Sequence, residues 1–232
     1  IGAVNTIINK DGKLYGDNTD FLGLSTLIMH LGLEFNGKKV LILGSGGTSK
    51  TALAVVKKHG CKEVFRVSRN GTGDCITYDE AKVNHSDADV IINTTPCGMF
   101  PKIGEAPVEL SDYPKLSGVV DAVYNPLRSK LICDAKKQGI TAEGGLYMLV
   151  AQAVYAAEKF VDQKVDKKKI DANKVKNNVK NIMKDNGIDE KNGALLNAGT
   201  CVKLGYAVSS SEHGKKIGVG HDGTKKSSVM HL

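Results

Sequence analysis

The sequence predicts an α/β protein whose core is a Rossmann-like, doubly wound parallel sheet. From residue 36 to residue 160, short apolar runs of strand length alternate with segments of helix length. A glycine cluster directly follows the first of these runs, and two later runs end on polar residues. Strands that alternate with helices in this way form a parallel sheet, and such sheets bind ligands at the carboxyl ends of their strands.

The first strand is predicted at residues 38–43, where an apolar run typical of a strand buried on both faces ends in glycines. A helix follows at residues 48–59, with alanine, leucine and valine on its packed side. The other elements of this region are strands at residues 63–67, 89–93, 118–122 and 140–141, and helices at residues 128–137 and 145–160.

Further segments flank the predicted sheet. Residues 3–8 have the pattern of a strand, and apolar residues at helical spacing predict a helix over residues 20–31. On the other side, an amphipathic helix is predicted over residues 171–184. Beyond residue 186 the chain is rich in Gly, Ser and Lys without apolar periodicity, which predicts a weakly ordered C-terminal tail.

The net charge of +7 is unevenly distributed along the chain. Residues 161–232 carry 14 Lys and 8 acidic residues, a net charge of +6, so the rest of the chain is almost neutral. A basic tail can bind nucleic acid, but no aromatic residues alternate with these lysines as base-stacking platforms would. A solvated helix face plus disorder is therefore the favoured interpretation, and nucleic-acid binding is disfavoured.

Composition excludes several classes of protein. Hydrophobic residues make up 41% and charged residues 25%, as in an ordinary soluble globular protein. No apolar run approaches the roughly 18 residues that cross a bilayer, and the start has no signal-peptide pattern. The five cysteines form no C-x-x-C pair and their number is odd, so neither a disulfide framework nor a metal site is indicated. A cytoplasmic location fits this pattern best.

A candidate dinucleotide-binding loop lies where the first strand of the sheet gives way to a helix. Its glycines allow a tight turn and let the backbone approach a pyrophosphate, whose charge meets the helix N-terminus. A bare G-x-G also occurs in structural turns, but the buried strand before it and the helix after it favour binding. The candidate cofactor-binding residues are Gly44, Ser45, Gly46, Gly47, Thr48 and Ser49.

The end of the next strand indicates which nicotinamide cofactor would bind. Enzymes that prefer NAD place an Asp or Glu here, which accepts a hydrogen bond from the ribose 2′-hydroxyl. This chain has Val67-Ser68-Arg69-Asn70 there, with no carboxylate. Arg69 would instead complement a 2′-phosphate, the alternative being a surface arginine without that role. The pattern favours NADP(H), with Ser68 and Arg69 as candidate binding residues.

Seven strings follow one another along the chain between Ile1 and about Lys184. They are Gly2-Ala3-Val4-Asn5-Thr6, Gly16-Asp17-Asn18-Thr19-Asp20, the loop at Gly44, Ser68-Arg69-Asn70, Asn93-Thr94-Thr95-Pro96, Asp121-Ala122-Val123-Tyr124-Asn125-Pro126 and Gly145-Leu146-Tyr147-Met148-Leu149-Val150-Ala151-Gln152-Ala153. Together they resemble the shikimate dehydrogenase family. The combination of an Asn-Thr-Asp box (Asn18, Thr19 and Asp20) with the Met-Leu-Val-Ala-Gln helix makes the resemblance specific.

This resemblance implies an NADP-dependent oxidoreductase that reversibly reduces 3-dehydroshikimate to shikimate in chorismate and aromatic amino-acid biosynthesis. The implied partners are these small molecules, not a membrane, and a homodimer is compatible with the sequence. The chain then divides into a remnant of the substrate-binding domain (1–32), an NADP-binding Rossmann-like domain (33–144), C-terminal helices packing toward the substrate domain (145–185) and the basic tail (186–232).

The resemblance also implies roles for individual residues. Asn5 is similar to an asparagine that hydrogen-bonds a ring hydroxyl of shikimate. Asp20 is similar to the catalytic carboxylate that, with a lysine, binds the hydroxyl being oxidised. Gln152 resembles a substrate-contacting glutamine, and Tyr124 a tyrosine near the substrate carboxylate. The alternatives are a helix N-cap for Asp20, a surface position for Gln152 and core packing for Tyr124.

Four more residues are implied to lie near the nicotinamide half of the cofactor. Thr94 and Thr95 would lie along the side of the nicotinamide ribose. Met148, or the backbone near Gly145, would lie beside the nicotinamide ring.

The chain departs from the family pattern at its start. In the family, an earlier segment supplies a Ser-x-Ser pair for the substrate carboxylate and the catalytic lysine, whereas this sequence begins at Ile1. Neither Lys10 nor Lys13 matches that lysine. The resemblance therefore predicts an N-terminally truncated enzyme with little activity, in which the strand at residues 3–8 is an unpaired edge. Residues 71–74 also form a short segment where many members carry a helix.

Two other functions stay open. A quinate/shikimate dehydrogenase is disfavoured by Arg69 and by the absence of a carboxylate beside it. A non-catalytic NADP-binding module is favoured by the absent lysine, but Asn5, Asp20 and Gln152 indicate that the parent protein was an enzyme.

Overall fold

The computed structural model describes residues 1–161, and the helix predicted at residues 171–184 and the tail beyond residue 186 lie outside them. No helix in the described part is both long and apolar enough to cross a membrane. The strands are β1 (Thr6–Lys10), β2 (Lys13–Asp17), β3 (Lys39–Leu43), β4 (Glu63–Val67), β5 (Cys75–Ile76), β6 (Val90–Asn93), β7 (Gly118–Asp121) and β8 (Thr141–Glu143). The helices are α1 (Thr19–Leu31), α2 (Gly47–Lys58), α3 (Tyr78–Asn84), α4 (Lys130–Lys137) and α5 (Leu146–Val161), with a 3-10 helix at Leu110–Asp112.

Six of these strands form one sheet in the order β5-β4-β3-β6-β7-β8. Every neighbouring pair in the sheet is parallel. The chain winds outward from β3 to β5, crosses back, and winds outward again from β6 to β8. This is the strand order of the Rossmann fold, whose ligands bind at the carboxyl ends of the central strands where the winding direction changes. The predicted fold class is confirmed, and the winding direction changes between β3 and β6.

Hydrophobic clusters cover both faces of this sheet. On one face, Val40, Ile42 and Ile92 pack against α1, α2 and α5. On the other face, Leu41 and Ile91 pack against α3 and α4. Successive side chains of a strand point to opposite faces, so a strand covered on both sides must be apolar at nearly every position. This explains why the apolar run of β3 could be recognised as a buried strand.

Helix α1 connects the N-terminal residues to the sheet by packing along α5. Gly23 permits the close approach of the two helices, since a Cβ built on it would lie 2.7 Å from the carbonyl oxygen of Met148. Farther along the same interface, the Thr26 hydroxyl lies 3.0 Å from the Tyr155 hydroxyl. The N-terminal residues therefore pack directly on α5 and, through the same hydrophobic cluster, on one face of the sheet.

Strands β1 and β2 form a separate antiparallel sheet. Asp11 and Gly12 connect them with φ angles of 52° and 80°, which suit a two-residue hairpin turn. Each residue of β1 is thus paired with β2 along one edge, because the Asp-Gly turn folds the next segment back as a partner strand. Within the described residues the other edge of β1 has no partner strand, as predicted, but the strand begins at Thr6 and not at residue 3.

The sequence predictions contain no element between β4 and β6, whereas the structure has β5 and α3 there. Helix α3 spans 7 residues and buries only Ala81, so its apolar periodicity is too short to detect. Its start does carry a local signal, because Thr77 and Glu80 form a capping box. The other predicted elements of the sheet region, and α1, are present with ends within two residues of those predicted.

Candidate active site

The glycine loop (residues 44–49) lies at the carboxyl end of β3, where the winding direction of the sheet changes. Gly44 has a φ of 118°, which other residues rarely adopt, and a Cβ there would lie 2.5 Å from Thr94 Oγ1. Its amide donates a 2.7 Å hydrogen bond to the carbonyl of Val67 at the end of β4. The loop is therefore held between the ends of β4 and β6.

The second half of the loop begins α2. Gly46 is the N-cap of this helix, and no side chain caps it. Ser45, Gly46 and Gly47 are exposed and Thr48 is half-buried. Ser49 is fully buried, and its hydroxyl donates a 2.7 Å hydrogen bond to the Gly46 carbonyl. Because the first N–H groups of a helix lack intrahelical acceptors and carry the positive end of its dipole, this exposed start can bind a phosphate.

The predicted threonines lie in the loop after β6, against the glycine loop. Thr94 Oγ1 donates a 2.6 Å hydrogen bond to the carbonyl of Leu43. Thr95 Oγ1 donates a 2.7 Å hydrogen bond to Asn93 Oδ1. Both threonines are half-buried, and a Cβ on Gly44 would approach both of them. The structure thus brings Thr94 and Thr95 to the same crevice as the loop, with both hydroxyls bonded within the protein.

A buried polar network joins the loops at this edge of the sheet. Asp121 at the end of β7 is fully buried, and it accepts hydrogen bonds from Asn93 Nδ2 at 2.9 Å and the Val123 amide at 3.0 Å. Ser129, the N-cap of α4, donates a third bond at 2.5 Å. Because Asn93 also holds Thr95, the network fixes the loops after β6 and β7 together. The sequence analysis did not predict this network. Its signal was that the apolar strands β6 and β7 each end on a polar residue, Asn93 and Asp121.

Burial raises the pKa of Asp121 from its ordinary value of 3.8 to about 6, against the effect of its three hydrogen bonds. A carboxyl whose pKa is raised by folding destabilises the fold when it ionises. Between about pH 4 and pH 6 this group should lower the free energy of unfolding by about 3 kcal/mol as pH rises. We expect Asp121→Asn to remove this dependence, so that its unfolding free energy rises relative to that of the unmodified chain over this range. Denaturant titrations at several pH values measure the difference, and parallel profiles would contradict the raised pKa.

The end of β4 carries the two residues predicted to contact the cofactor ribose. Ser68 Oγ is buried and has no hydrogen-bond partner within the described residues. Arg69 is exposed beside it. A buried hydroxyl without a partner next to an exposed arginine suits a polar, negatively charged ligand group.

Arg66, two residues before Ser68, was not predicted as a site residue. Its signal was an arginine inside an apolar strand, and its guanidinium lies 3.4 Å from the Ser45 carbonyl.

The Asn-Thr-Asp box lies at the start of α1. Asn18 is the N-cap, and its Oδ1 accepts a 3.1 Å hydrogen bond from the Phe21 amide. The alternative of Asp20 as the helix cap is therefore wrong, because Asn18 already occupies that position. Asn18 Nδ2 also donates a 3.1 Å hydrogen bond to Thr51 Oγ1 of α2. This bond connects the box directly to the helix that follows the glycine loop.

Three predicted substrate residues meet around Thr19. Asn5 Oδ1 accepts hydrogen bonds from the Thr19 amide at 2.8 Å and from Thr6 Oγ1 at 3.0 Å. The Asn5 side chain also acts on the carboxyl group of Asp20, whose pKa it lowers. From α5, Gln152 Oε1 accepts a 3.2 Å hydrogen bond from Thr19 Oγ1, across a separation of 133 residues in sequence. Asn5, Asp20 and Gln152 thus belong to one polar cluster.

Within the described part of the chain, Asp20 has no paired cation. Asp20 is half-buried, and burial raises its pKa above the ordinary value, with the Asn5 side chain acting in the opposite direction. Within residues 1–161, no lysine or arginine forms an ion pair with it. Lys159 of α5 pairs with Asp17 instead and holds the pKa of that carboxyl below its ordinary value.

The remaining predicted residues lie at the end of β7 and the start of α5. Tyr124 is half-buried in the loop after β7. The Gly145 amide donates a 2.9 Å hydrogen bond to the carbonyl of Val123 in that loop. The Met148 side chain is 7% exposed and belongs to the hydrophobic cluster that includes α1. The backbone at Gly145 therefore lies against the loop, whereas the side chain of Met148 faces the core.

The site thus combines an exposed helix start, the loops after β3 and β6 that contact each other, and the polar cluster around Thr19, which Asn18 connects to α2. Within the described part of the chain, no group of three or more His, Cys, Asp or Glu side chains could hold a metal ion. This arrangement can bind a dinucleotide along the sheet edge. It can also present hydroxyl-binding groups beside the dinucleotide.

Comparison with known proteins assigns a family. No family model matches the chain. The shikimate dehydrogenase (NADP(+)) of Clostridium beijerinckii is 34% identical over 175 residues, which are 72% of this chain and 65% of that protein. The structure of shikimate dehydrogenase 1 from Peptoclostridium difficile is 35% identical with a TM-score of 0.68, over 77% of this chain and 67% of that one. Shikimate 5-dehydrogenase from Thermus thermophilus in complex with NADP(H) and shikimate is 26% identical with a TM-score of 0.62, over 71% and 64%.

The strand order and the glycine loop at its switch point define a protein of the Rossmann class. The Peptoclostridium difficile enzyme matches this chain at 35% identity over 77% of its length. The chain belongs to the shikimate dehydrogenase family. The predicted family is confirmed, and the chain spans 65% of the length of the Clostridium beijerinckii relative.

Proposed function

We propose that this chain serves the NADP-dependent, reversible reduction of 3-dehydroshikimate to shikimate, a step of chorismate and aromatic amino-acid biosynthesis. The observation that carries the proposal is the contact between the two halves of the candidate site. The Asn18 side chain of the box lies 3.1 Å from Thr51 of α2, the helix that begins at the glycine loop. Relatives named shikimate dehydrogenase (NADP(+)) support the choice of reaction.

The residues present fit an NADP(H) cofactor. The exposed start of α2 would hold the pyrophosphate, and Ser68 and Arg69 would hold the phosphorylated ribose. The buried hydroxyl of Ser68 supports this fit, because it has no partner among the described residues. When bound, NADPH supplies the hydride. The proposed roles of Thr94, Thr95 and the backbone at Gly145 are to line the crevice toward the nicotinamide end.

The proposed substrate site is the cluster around Asp20. Asn5 and Gln152 would orient ring hydroxyls of the substrate, and Tyr124 would lie near its carboxylate. The carboxylate of Asp20 would pair with a cation that donates the proton to the developing alkoxide. The raised pKa of Asp20 and the absence of an ion pair to it within residues 1–161 support a lysine partner contributed from outside that range. By the family resemblance that lysine belongs to a segment earlier than Asn5, and neither Lys10 nor Lys13 matches it, so we expect slow turnover from the chain as given.

The proposed function is tested on the purified chain by two measurements. Titration of NADPH fluorescence should show saturable binding, because the glycine loop and the end of β4 are intact. Steady-state oxidation of shikimate should be slower than with the Peptoclostridium difficile enzyme by about 10²–10⁴-fold, the usual contribution of a positioned proton donor. Asp20→Asn serves as the matched variant and should leave NADPH binding unchanged.

Two results would overturn the proposal in different ways. Absence of NADPH binding would contradict the assignment of the cofactor site. Turnover comparable with that of the Peptoclostridium difficile enzyme would contradict the need for an additional lysine.

A further inference from the structure

The guanidinium of Arg66 is an unusual charge inside the sheet. Arg66 lies on β4, between Ile42 of β3 and Cys75 of β5 in the strand register. Its side chain is only 10% exposed. A charged side chain is rarely buried to this extent without full pairing, since desolvation of an ion costs several kcal/mol. The contacts of Arg66 therefore show what this charge is arranged to meet.

Nη2 of this guanidinium lies 3.4 Å from the Ser45 carbonyl, 3.3 Å from Cys75 Sγ and 3.3 Å from Asp74 Oδ1. By contrast, Nε is buried and has no hydrogen-bond partner within residues 1–161. The guanidinium thus keeps one buried donor without an acceptor in this part of the chain.

The carboxylate that pairs with Arg66 is largely exposed to solvent. Asp74 is the only carboxylate among the described residues that pairs with Arg66, and its side chain is 68% exposed. Water screens a pair with one exposed partner, so Asp74 offsets only part of the cost of burying the guanidinium. A second anion near Arg66 would offset the remainder.

The position of Arg66 indicates which ligand group such an anion would be. Ser45, which it contacts, belongs to the glycine loop, and Asp74 ends the short segment at residues 71–74. Alternate residues of a strand share a face, so Arg66 points to the same side as Ser68, the residue that directly follows β4. The buried hydroxyl of Ser68 also lacks a partner among residues 1–161. These groups surround the gap between the glycine loop and the end of β4. In Rossmann folds, the ribose of the adenosine half binds there.

We propose that Arg66 and Asp74 together set the preference of this chain for a phosphate monoester at the ribose 2′ position over a 2′-hydroxyl. Arg66 supplies a buried positive charge, and Asp74 is a counter-ion within the protein that competes with the ligand phosphate for it. This inference rests on the proposed function, because it assumes that a dinucleotide binds at the glycine loop. It adds two residues to a preference that the sequence attributed to Arg69.

The experiment compares NADP⁺ with NAD⁺, two ligands that share the pyrophosphate and differ in the 2′-phosphate. Isothermal titration calorimetry on the purified chain gives the affinity of each ligand for Arg66→Met and Asp74→Asn. Asp11→Asn is the matched control, because it removes the same charge at the hairpin turn, where asparagine tolerates the positive φ.

We expect Arg66→Met to weaken NADP⁺ binding about tenfold or more and NAD⁺ binding less than about threefold, as for the loss of a charge-assisted contact. Asp74→Asn should tighten NADP⁺ binding about two- to fivefold, with a smaller change for NAD⁺, because it removes a solvent-exposed competing charge. Asp11→Asn should change neither affinity. Asp74 lies in an exposed loop, so its variant tests the inference even where Arg66→Met fails to fold.

Equal loss of NADP⁺ and NAD⁺ affinity in Arg66→Met would assign Arg66 to the pyrophosphate and overturn the inference. Unchanged or weaker NADP⁺ binding in Asp74→Asn would also overturn it, because Asp74 would then not compete with the phosphate. Either result leaves the proposed function standing. If the unmodified chain binds neither dinucleotide, the proposed function fails and this inference fails with it.

Discussion

Replacing Gly145 with alanine is expected to lower the free energy of unfolding by about 3–5 kcal/mol, an unusually large effect for one methyl group. A Cβ at this position would lie 2.2 Å from the carbonyl oxygen of Ala122 and 2.6 Å from its carbonyl carbon. Both obstructing atoms are backbone atoms, so no side-chain rotation can relieve the clash. The start of α5 would have to move away from the loop after β7.

Denaturant unfolding of Gly145→Ala measures this effect. Gly104→Ala is the matched control, because a Cβ built at Gly104 meets no atom within 4 Å. A stability loss similar to that of the control would mean that the loop yields easily. Because the Gly145 amide also bonds the Val123 carbonyl, the same contact sets where α5 begins and thus where Gln152 lies. We therefore expect part of the damage to reach the polar cluster around Thr19.

The second large effect is expected in the glycine loop, where two glycines serve different purposes. Alanine at Gly44 should destabilise the fold by about 1–3 kcal/mol, because it must adopt a φ of 118° and meets Thr94 Oγ1 at 2.5 Å. Alanine at Gly46 should cost at most about 1 kcal/mol, since this N-cap has a φ of −78° and open space around it. That open space is where a ligand phosphate would approach the backbone.

Gly46→Ala should therefore weaken NADP⁺ binding about tenfold or more while the melting temperature changes little. Thermal unfolding and calorimetric titration of the two variants measure stability and binding separately. The expected contrast is loss of stability in Gly44→Ala and loss of affinity without loss of stability in Gly46→Ala. If Gly46→Ala bound NADP⁺ as tightly as the unmodified chain, the phosphate would not lie over this helix start.

The central strands could be predicted because burial on both faces determines the residue types of several consecutive positions. Strand β3 needs apolar side chains on both faces, and its glycine loop must follow at once, so both appear as one continuous signal. Helix α3 leaves a much weaker mark. It buries only Ala81, and its capping box of Thr77 and Glu80 is a local pattern that also occurs outside helices. The hairpin turn at Asp11 and Gly12 was a stronger signal for the pairing of β1 with β2.

The contacts of the site residues were less predictable than their identity. The resemblance pointed to Asn5, Asp20 and Gln152, but local sequence could not show that Thr19 would join two of them by hydrogen bonds. Nor could it show that Asn18 caps α1, because Asp20 is an equally good capping residue type. Arg66 was not predicted for a similar reason, since its contacts with Ser45 and Asp74 exist only once two loops have folded against β4.

The bond between Asn18 and Thr51 has a consequence for the entropy of ligand binding. It ties the Asn-Thr-Asp box to α2, and the bond between Thr19 and Gln152 ties the same box to α5. Asn18 and Thr19 are both buried, so folding of the sheet already fixes their side-chain rotamers. A ligand that binds this cluster does not have to immobilise these side chains, which would otherwise cost about 0.5–1.5 kcal/mol for each one. The affinity of the cluster can therefore come from its polar contacts without this loss.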